Sequence, residues 1–137
     1  MNKLENKVAI ITGASKGIGA AIATHFAAEG AKVVVNYASD KNGAEKVVKT
    51  IADNGGTAIA IQGDVSKTSD IVKLFEETKS TFGTLDILVN NAGVYPAAFI
   101  EDVTEETFHK LFNINVLGSI LAIKEAVKLF GNAGYQH

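Results

Sequence analysis

The chain contains no cysteine, which excludes disulfides and thiolate metal sites. It has no long hydrophobic run either. After a polar start of mixed charge from Met1 to Lys7, the apolar stretch Val8 to Ile11 is too short for a signal-peptide core or a membrane span. An excess of basic residues is also missing. With 13 Lys and Arg against 15 Asp and Glu, the formal net charge is -2. That argues against nucleic acid and anionic membrane as partners, since both call for clustered cations. Histidine is sparse: His25, His109 and His137 lie far apart with no ligand spacing, so no metal site is expected, and His25 and His109 read as helix-surface residues. A cytoplasmic protein is the simplest reading.

What is present is enough apolar material for a core. Of 137 residues, 47% are hydrophobic and 20% charged, which suits one folded domain over residues 1–137 and disfavours disorder. Short β-branched runs alternate with longer helical stretches. Val8–Ile11 reads as a strand, followed by a helix from Ile18 to Glu29 in which Ile18, Ile22 and Phe26 share one face. Gly30 is placed to end it. Lys32–Tyr37 holds Val33, Val34 and Val35, a continuous run expected of a strand covered on both sides. A second helix spans about Lys41 to Ala52, and Asn54-Gly55-Gly56 forms a turn. Thr57–Gln62 is a third strand, after which Ser66, Thr68 or Ser69 would cap a helix running to Phe82. Leu85–Val89 is a fourth strand, and a last helix spans about Glu105 to Phe130. This alternation predicts an α/β fold, a Rossmann-type open parallel sheet of four strands and four helices with right-handed crossovers. Ligands of such sheets bind beyond the carboxyl ends of the strands, and every unusual motif in this chain falls there.

The first such motif is Thr12-Gly13-Ala14-Ser15-Lys16-Gly17-Ile18-Gly19, running from strand into helix. Gly13 permits a tight turn, Gly17 leaves room for a pyrophosphate to approach the backbone, and Gly19 lets the helix pack close to the sheet. Unpaired N–H groups in the helix's first turn then face the phosphate, aided by the helix dipole. The dipole alone is worth only ~0.3–1 kcal/mol at exposed sites, so the N–H hydrogen bonds carry most of the binding. The spacing differs from both G-x-G-x-x-G and the P-loop. The bland alternative is an ordinary strand-to-helix turn.

Two further motifs make a family recognisable. The fourth strand ends in Asn90-Asn91-Ala92-Gly93, and the last helix carries Asn115-Val116-Leu117-Gly118. With Thr12–Gly19, and with Asp64-Val65 after the third strand, the chain resembles the short-chain dehydrogenase/reductase family up to about Phe130. Within it the similarity is greatest to 3-oxoacyl-carrier-protein reductases and glucose 1-dehydrogenases. The resemblance implies an NAD(P)-dependent oxidoreductase that moves a hydride between nicotinamide and a small-molecule carbonyl or alcohol. It implies that Gly13, Ser15, Lys16, Gly17, Ile18 and Gly19 surround the pyrophosphate and adenosine ribose. Asp64 would hydrogen-bond the adenine, with Val65 against the ring. Asn91, Ala92 and Gly93 would line the ribose, and Asn90 would tie neighbouring strands. Asn115 resembles the catalytic asparagine that holds a water in a proton relay. Each has a structural alternative: a turn cap for Asp64, a plain turn for residues 90–93, a helix hydrogen bond for Asn115.

In NAD-preferring folds an acid near the end of strand two binds the ribose hydroxyls. Here that place holds Asn36, followed by Tyr37, Ala38 and Ser39. Without a carboxylate to repel a 2′-phosphate, and with Lys16 nearby, NADP is the expected cofactor rather than NAD; Asp40 stands close, and the alternative for Lys16 is a solvated surface lysine. The family's catalytic serine and Tyr-x-x-x-Lys pair are expected downstream of the asparagine, and none is found. Tyr37 and Lys41 have the spacing but lie at the adenosine end, while Tyr95 and Tyr135 have no lysine four residues on. The last helix is apolar on more than one side, including Leu111, Phe112, Val116, Ile120 and Ile123. It is expected to bury that surface in a homo-oligomer, the isolated chain being marginally stable and self-associating. The chain therefore reads as a domain incomplete at its C-terminus. Its alternatives are a dinucleotide-binding module without turnover and a nonfunctional remnant.

Overall fold

Strand β1 (Val8–Ile11) is buried along its whole length, and its four side chains divide between two cores. Val8 and Ile10 join Ile71, Leu74, Phe75, Ala122 and Ala126 on one face of the sheet. Ala9 and Ile11 join Ala23, Ala27, Val47 and Ile51 on the other. This is the two-residue period of a strand, and it explains how an unbroken apolar run stays dry. Each isoleucine so buried contributes roughly 1.5–3 kcal/mol.

The computed structural model describes residues 3–92, 104–106, 109 and 113–130. Three further strands, β2 (Lys32–Tyr37), β3 (Thr57–Gln62) and β4 (Ile87–Val89), lie parallel to β1 in the order β3-β2-β1-β4. Between them run α1 (Gly17–Ala28), α2 (Lys41–Asp53) and α3 (Thr68–Phe82). A π-helical turn, Asn113–Leu117, leads into α4 (Gly118–Leu129). The chain steps outward from β1 to β2 to β3 and then returns to the opposite side of β1. Strand order therefore reverses at β1, where an open α/β sheet forms its ligand crevice. Among the described residues no helix is long and apolar enough to cross a membrane.

Several expectations are refined. The α1 face turned to the sheet is Gly19, Ala23 and Ala27 rather than Ile18, Ile22 and Phe26. Ile22 and Phe26 are only partly buried, and Ile18 is 75% exposed. The small residues win because α1 starts directly from the turn after β1, and larger side chains would hold it off the sheet. None of Ser66, Thr68 and Ser69 caps α3. Lys67 occupies that position with no side-chain bond. Two aspartates close the loop instead: Asp70 accepts the Asp64 N–H at 2.9 Å, and Asp64 Oδ1 accepts the Ser66 N–H at 2.9 Å.

Strand β4 is shorter than the expected Leu85–Val89. Asp86 interrupts it, its N–H donating to Val8 O at 2.9 Å while its Oδ2 accepts the Val8 N–H at 2.9 Å, so a side chain replaces one ladder bond. Leu85, fully buried, pairs in parallel with Phe130, so the chain leaving α4 meets the outer edge of the sheet. The last helix is not one uniform segment, because the π-helical turn interrupts it at Asn113–Leu117. Gly93, Tyr95, Leu111, Phe112, Tyr135 and the tail 131–137 lie outside the described residues.

Candidate functional site

The turn between β1 and α1 is held from both sides. Gly13 has φ +61°, a conformation that a side chain resists, and a Cβ there would stand 2.8 Å from Ala92 Cα. On the β4 side, Thr12 Oγ1 accepts the N–H groups of Asn91 and Ala92, each at 3.0 Å, and Asn91 Nδ2 donates to Gly13 O at 3.0 Å. On the β2 side, Asn36 Oδ1 accepts the Gly13 N–H at 3.2 Å and Asn36 O accepts the Ala14 N–H at 2.8 Å. Thr12 is 1% exposed, and a buried hydroxyl needs such partners. The tie expected of Asn90 is made by Thr12 and Asn91, while Asn90 itself is exposed.

Above this brace opens a cleft of about 410 Å³ at the carboxyl ends of the strands. It brings together Gly13, Ser15, Lys16, Asn36, Ala38, Ser39, Asp64, Val65, Asn91 and Ala92, all singled out from the sequence. Gly17, Ile18 and Gly19 do not line it but follow at once, as the first residues of α1. The N-cap residue Lys16 offers no side-chain bond, and the first backbone donation at this end is Ala20 N–H to Lys16 O at 3.3 Å. The N–H groups of Gly17, Ile18 and Gly19 thus have no hydrogen-bond partner among the described residues, the condition in which a helix start receives an anion. Gly17 has φ +62°, and a Cβ built there would meet nothing within 4 Å, so the space over it is open. Gly19 is the reverse: its Cβ would stand 2.6 Å from Gly13 O.

Asp64 proves to be a turn cap that also faces the cleft. Its Oδ1 accepts from both the N–H and the hydroxyl of Ser66, at 2.9 and 2.6 Å. Burial raises its pKa, but the hydroxyl bond, the backbone bond and the charge of Lys67 outweigh that and hold the carboxyl below its ordinary value. At neutral pH it is an ionised acceptor with Oδ2 unpartnered among the described residues. Asp40 caps α2, accepting the Gly43 N–H at 3.0 Å. Asn115 lies in the π-helical turn and is partly buried, its carbonyl accepting the Ser119 hydroxyl at 3.2 Å. It does not line the cleft, but its neighbour Ile114 does.

Tyr37, Asp40, Gly63 and Ile114 line the cleft without having been singled out as binding residues. The first three flank residues that were, so adjacency was a usable signal. Ile114 had none, since an apolar residue in an apolar helix carries no mark of the cleft it will reach.

The sequence matches the family described as short chain dehydrogenase over residues 7–135. An uncharacterised oxidoreductase of Methylorubrum extorquens is 56% identical over 134 residues, spanning 98% of this chain and 54% of that protein. Elsinochrome reductase 1 of Elsinoe fawcettii is 48% identical over 127 residues, spanning 93% of this chain and 48% of the relative. A solved short chain dehydrogenase from Burkholderia cenocepacia, in complex with NADP, is 40% identical with a TM-score of 0.91 and matches 95% of this chain and 53% of its own. The chain belongs to the short chain dehydrogenase family and has its fold. It spans about half the length of the curated relatives it matches.

Proposed function

We propose that these residues form the dinucleotide-binding part of an NAD(P)-dependent oxidoreductase acting on a small-molecule carbonyl or alcohol. The observation that carries this reading is the open space over Gly17 at a helix start whose first N–H groups are unpaired, beside a cleft at the point of strand reversal. Gly13, Ser15, Gly17, Ile18 and Gly19 would hold the pyrophosphate and its ribose. Asp64 and Val65 would receive the adenine, and Asn91, Ala92 and Gly93 the second ribose. Nicotinamide supplies the hydride chemistry when bound. The role left to Asn115 is to hold a water for proton transfer, supported by its place on the π-helical turn, since such bulges recur at functional sites.

NADP is the proposed form. Lys16, Ala38 and Ser39 line the cleft beyond β2. Among the described residues the carboxylate lining that part of the cleft is Asp40, which turns Oδ1 toward α2 to accept the Gly43 N–H. An acid facing a 2′-phosphate at 4 Å would oppose it by ~4 kcal/mol at an effective dielectric near 20. Fluorescence titration with NADPH and NADH tests the choice: NADPH is expected to bind more tightly, and tighter NADH binding would reverse the assignment. The reading includes a cytoplasmic setting; it also includes self-association through α4 and the turn before it, which exposed Val116, Ile120 and Ile123 support.

A further inference from the structure

Asn36 is the last residue but one of β2, at the floor of the cleft, and is 1% exposed. Its side chain is spent inside the protein. Oδ1 accepts the Gly13 N–H at 3.2 Å, and Nδ2 donates to the carbonyls of Ile61 and Gly63, each at 3.2 Å. A primary amide has two N–H donors, and both are used. A residue so committed is unsuited to grip a cofactor, yet it joins two segments that otherwise belong to different ends of the site. Gly13 opens the glycine-rich turn, while Gly63 opens the loop carrying Asp64 and Val65.

We propose that Asn36 is a positioning residue that couples the phosphate end of the cleft to its adenine end. The inference deepens the dinucleotide reading and rests on it. A ligand that spans both ends needs the two loops in fixed register, whereas a ligand confined to one end does not. An aspartate at this position would keep the acceptor for Gly13 but set a carboxylate against two carbonyl oxygens. The acid that NAD-preferring folds carry near this strand end therefore has no place at residue 36; Tyr37 and Ala38, which line the cleft, are the sites for it.

The test measures dissociation constants for NADPH and for adenosine 2′-monophosphate, which fills the adenine end alone. Asn36→Ala and Asn36→Ser are compared with the unaltered chain at a temperature where circular dichroism finds each folded. Losing two buried donors is expected to weaken NADPH about tenfold or more. Adenosine 2′-monophosphate should stay within about threefold, because a ligand confined to one end does not need the two loops in fixed register. Equal loss for both ligands, as a merely structural role would produce, overturns the proposal, as does unchanged NADPH affinity. Nuclear magnetic resonance on the unaltered chain covers the case of variants that do not fold. Adenosine 2′-monophosphate should shift the side-chain amide signals of Asn36 and the backbone amide of Gly13 together, and a shift in neither overturns the coupling. Failure of the unaltered chain to bind NADPH is a separate result that removes the cofactor reading itself.

Discussion

Helices α1 and α4 meet the sheet by the same device and differ in what lies on their other side. Each lays a stripe of one glycine and two alanines, four residues apart, against the core: Gly19, Ala23 and Ala27 in one, Gly118, Ala122 and Ala126 in the other. In each, the glycine marks the closest approach. A Cβ on Gly19 would stand 2.6 Å from Gly13 O, and one on Gly118 would stand 2.8 Å from Val65 Cγ2 and 2.9 Å from Val65 O. Of the larger apolar residues of α1, Ile22 and Phe26 pack against the α2 side of the core, while Ile18 in its first turn is 75% exposed. On α4, Leu121 and Leu129 pack against the other core, but Ile120 is 58% and Ile123 50% exposed. These two residues lie in the body of the helix rather than in its first turn, so α4 is where association with another chain would bury surface.

The largest expected effect comes from Gly19→Ala. Its new methyl meets backbone that the braced turn cannot move, so stability should fall by about 1–3 kcal/mol and NADPH affinity about tenfold or more. Denaturant unfolding and fluorescence titration would measure the two. Gly118→Ala is expected to cost less, near ~1 kcal/mol, because part of its clash is with a Val65 side chain that can turn. A greater loss for Gly118→Ala than for Gly19→Ala would break the comparison between the two stripes.

Replacing Ile120 and Ile123 together by lysine sharpens it from the other side. Sedimentation should show less self-association, while the stability of the folded chain changes by no more than about 0.5 kcal/mol. Unaltered association would mean that another surface is responsible.

The smallest effect belongs to Ser66→Ala, which removes one of the two bonds to Asp64 Oδ1. The folded carboxyl has a lowered pKa, so its stabilisation is present above the unfolded value and lost as pH falls through the folded one. The variant should be less stable by roughly 0.5–1.5 kcal/mol at neutral pH, and the gap should close in acid. Thermal unfolding across that range would follow it. A gap independent of pH would show that the hydroxyl acts on something other than the ionised carboxyl.

Much of this was legible residue by residue. The bounds of β2 and β3 were set by β-branched runs ending at turn residues, which is local information. The glycine-rich turn was readable too, because Gly13 and Gly19 are required by close backbone approach. Errors arose where a residue answers to a distant partner. Ile18, Ile22 and Phe26 have the spacing of a buried face, but the distance between α1 and the sheet is decided by the turn, and only glycine and alanine fit. Leu85 looked like part of β4, but Asp86 exchanges its bonds with Val8, whose position 78 residues away along the chain leaves no local trace.

The sequence by itself determined the alternation of strands and helices, the location of the glycine-rich turn and the family. These follow from periodicity and from residue types whose backbone freedom is intrinsic. Only the tertiary structure decided that the Asn36 side chain bridges Gly13 to Ile61 and Gly63, that Ile114 reaches the cleft, and that Ile120 and Ile123 of α4 are exposed. A hydrogen bond or a van der Waals gap depends on where two distant segments come to rest, and that is settled by packing rather than by either segment alone.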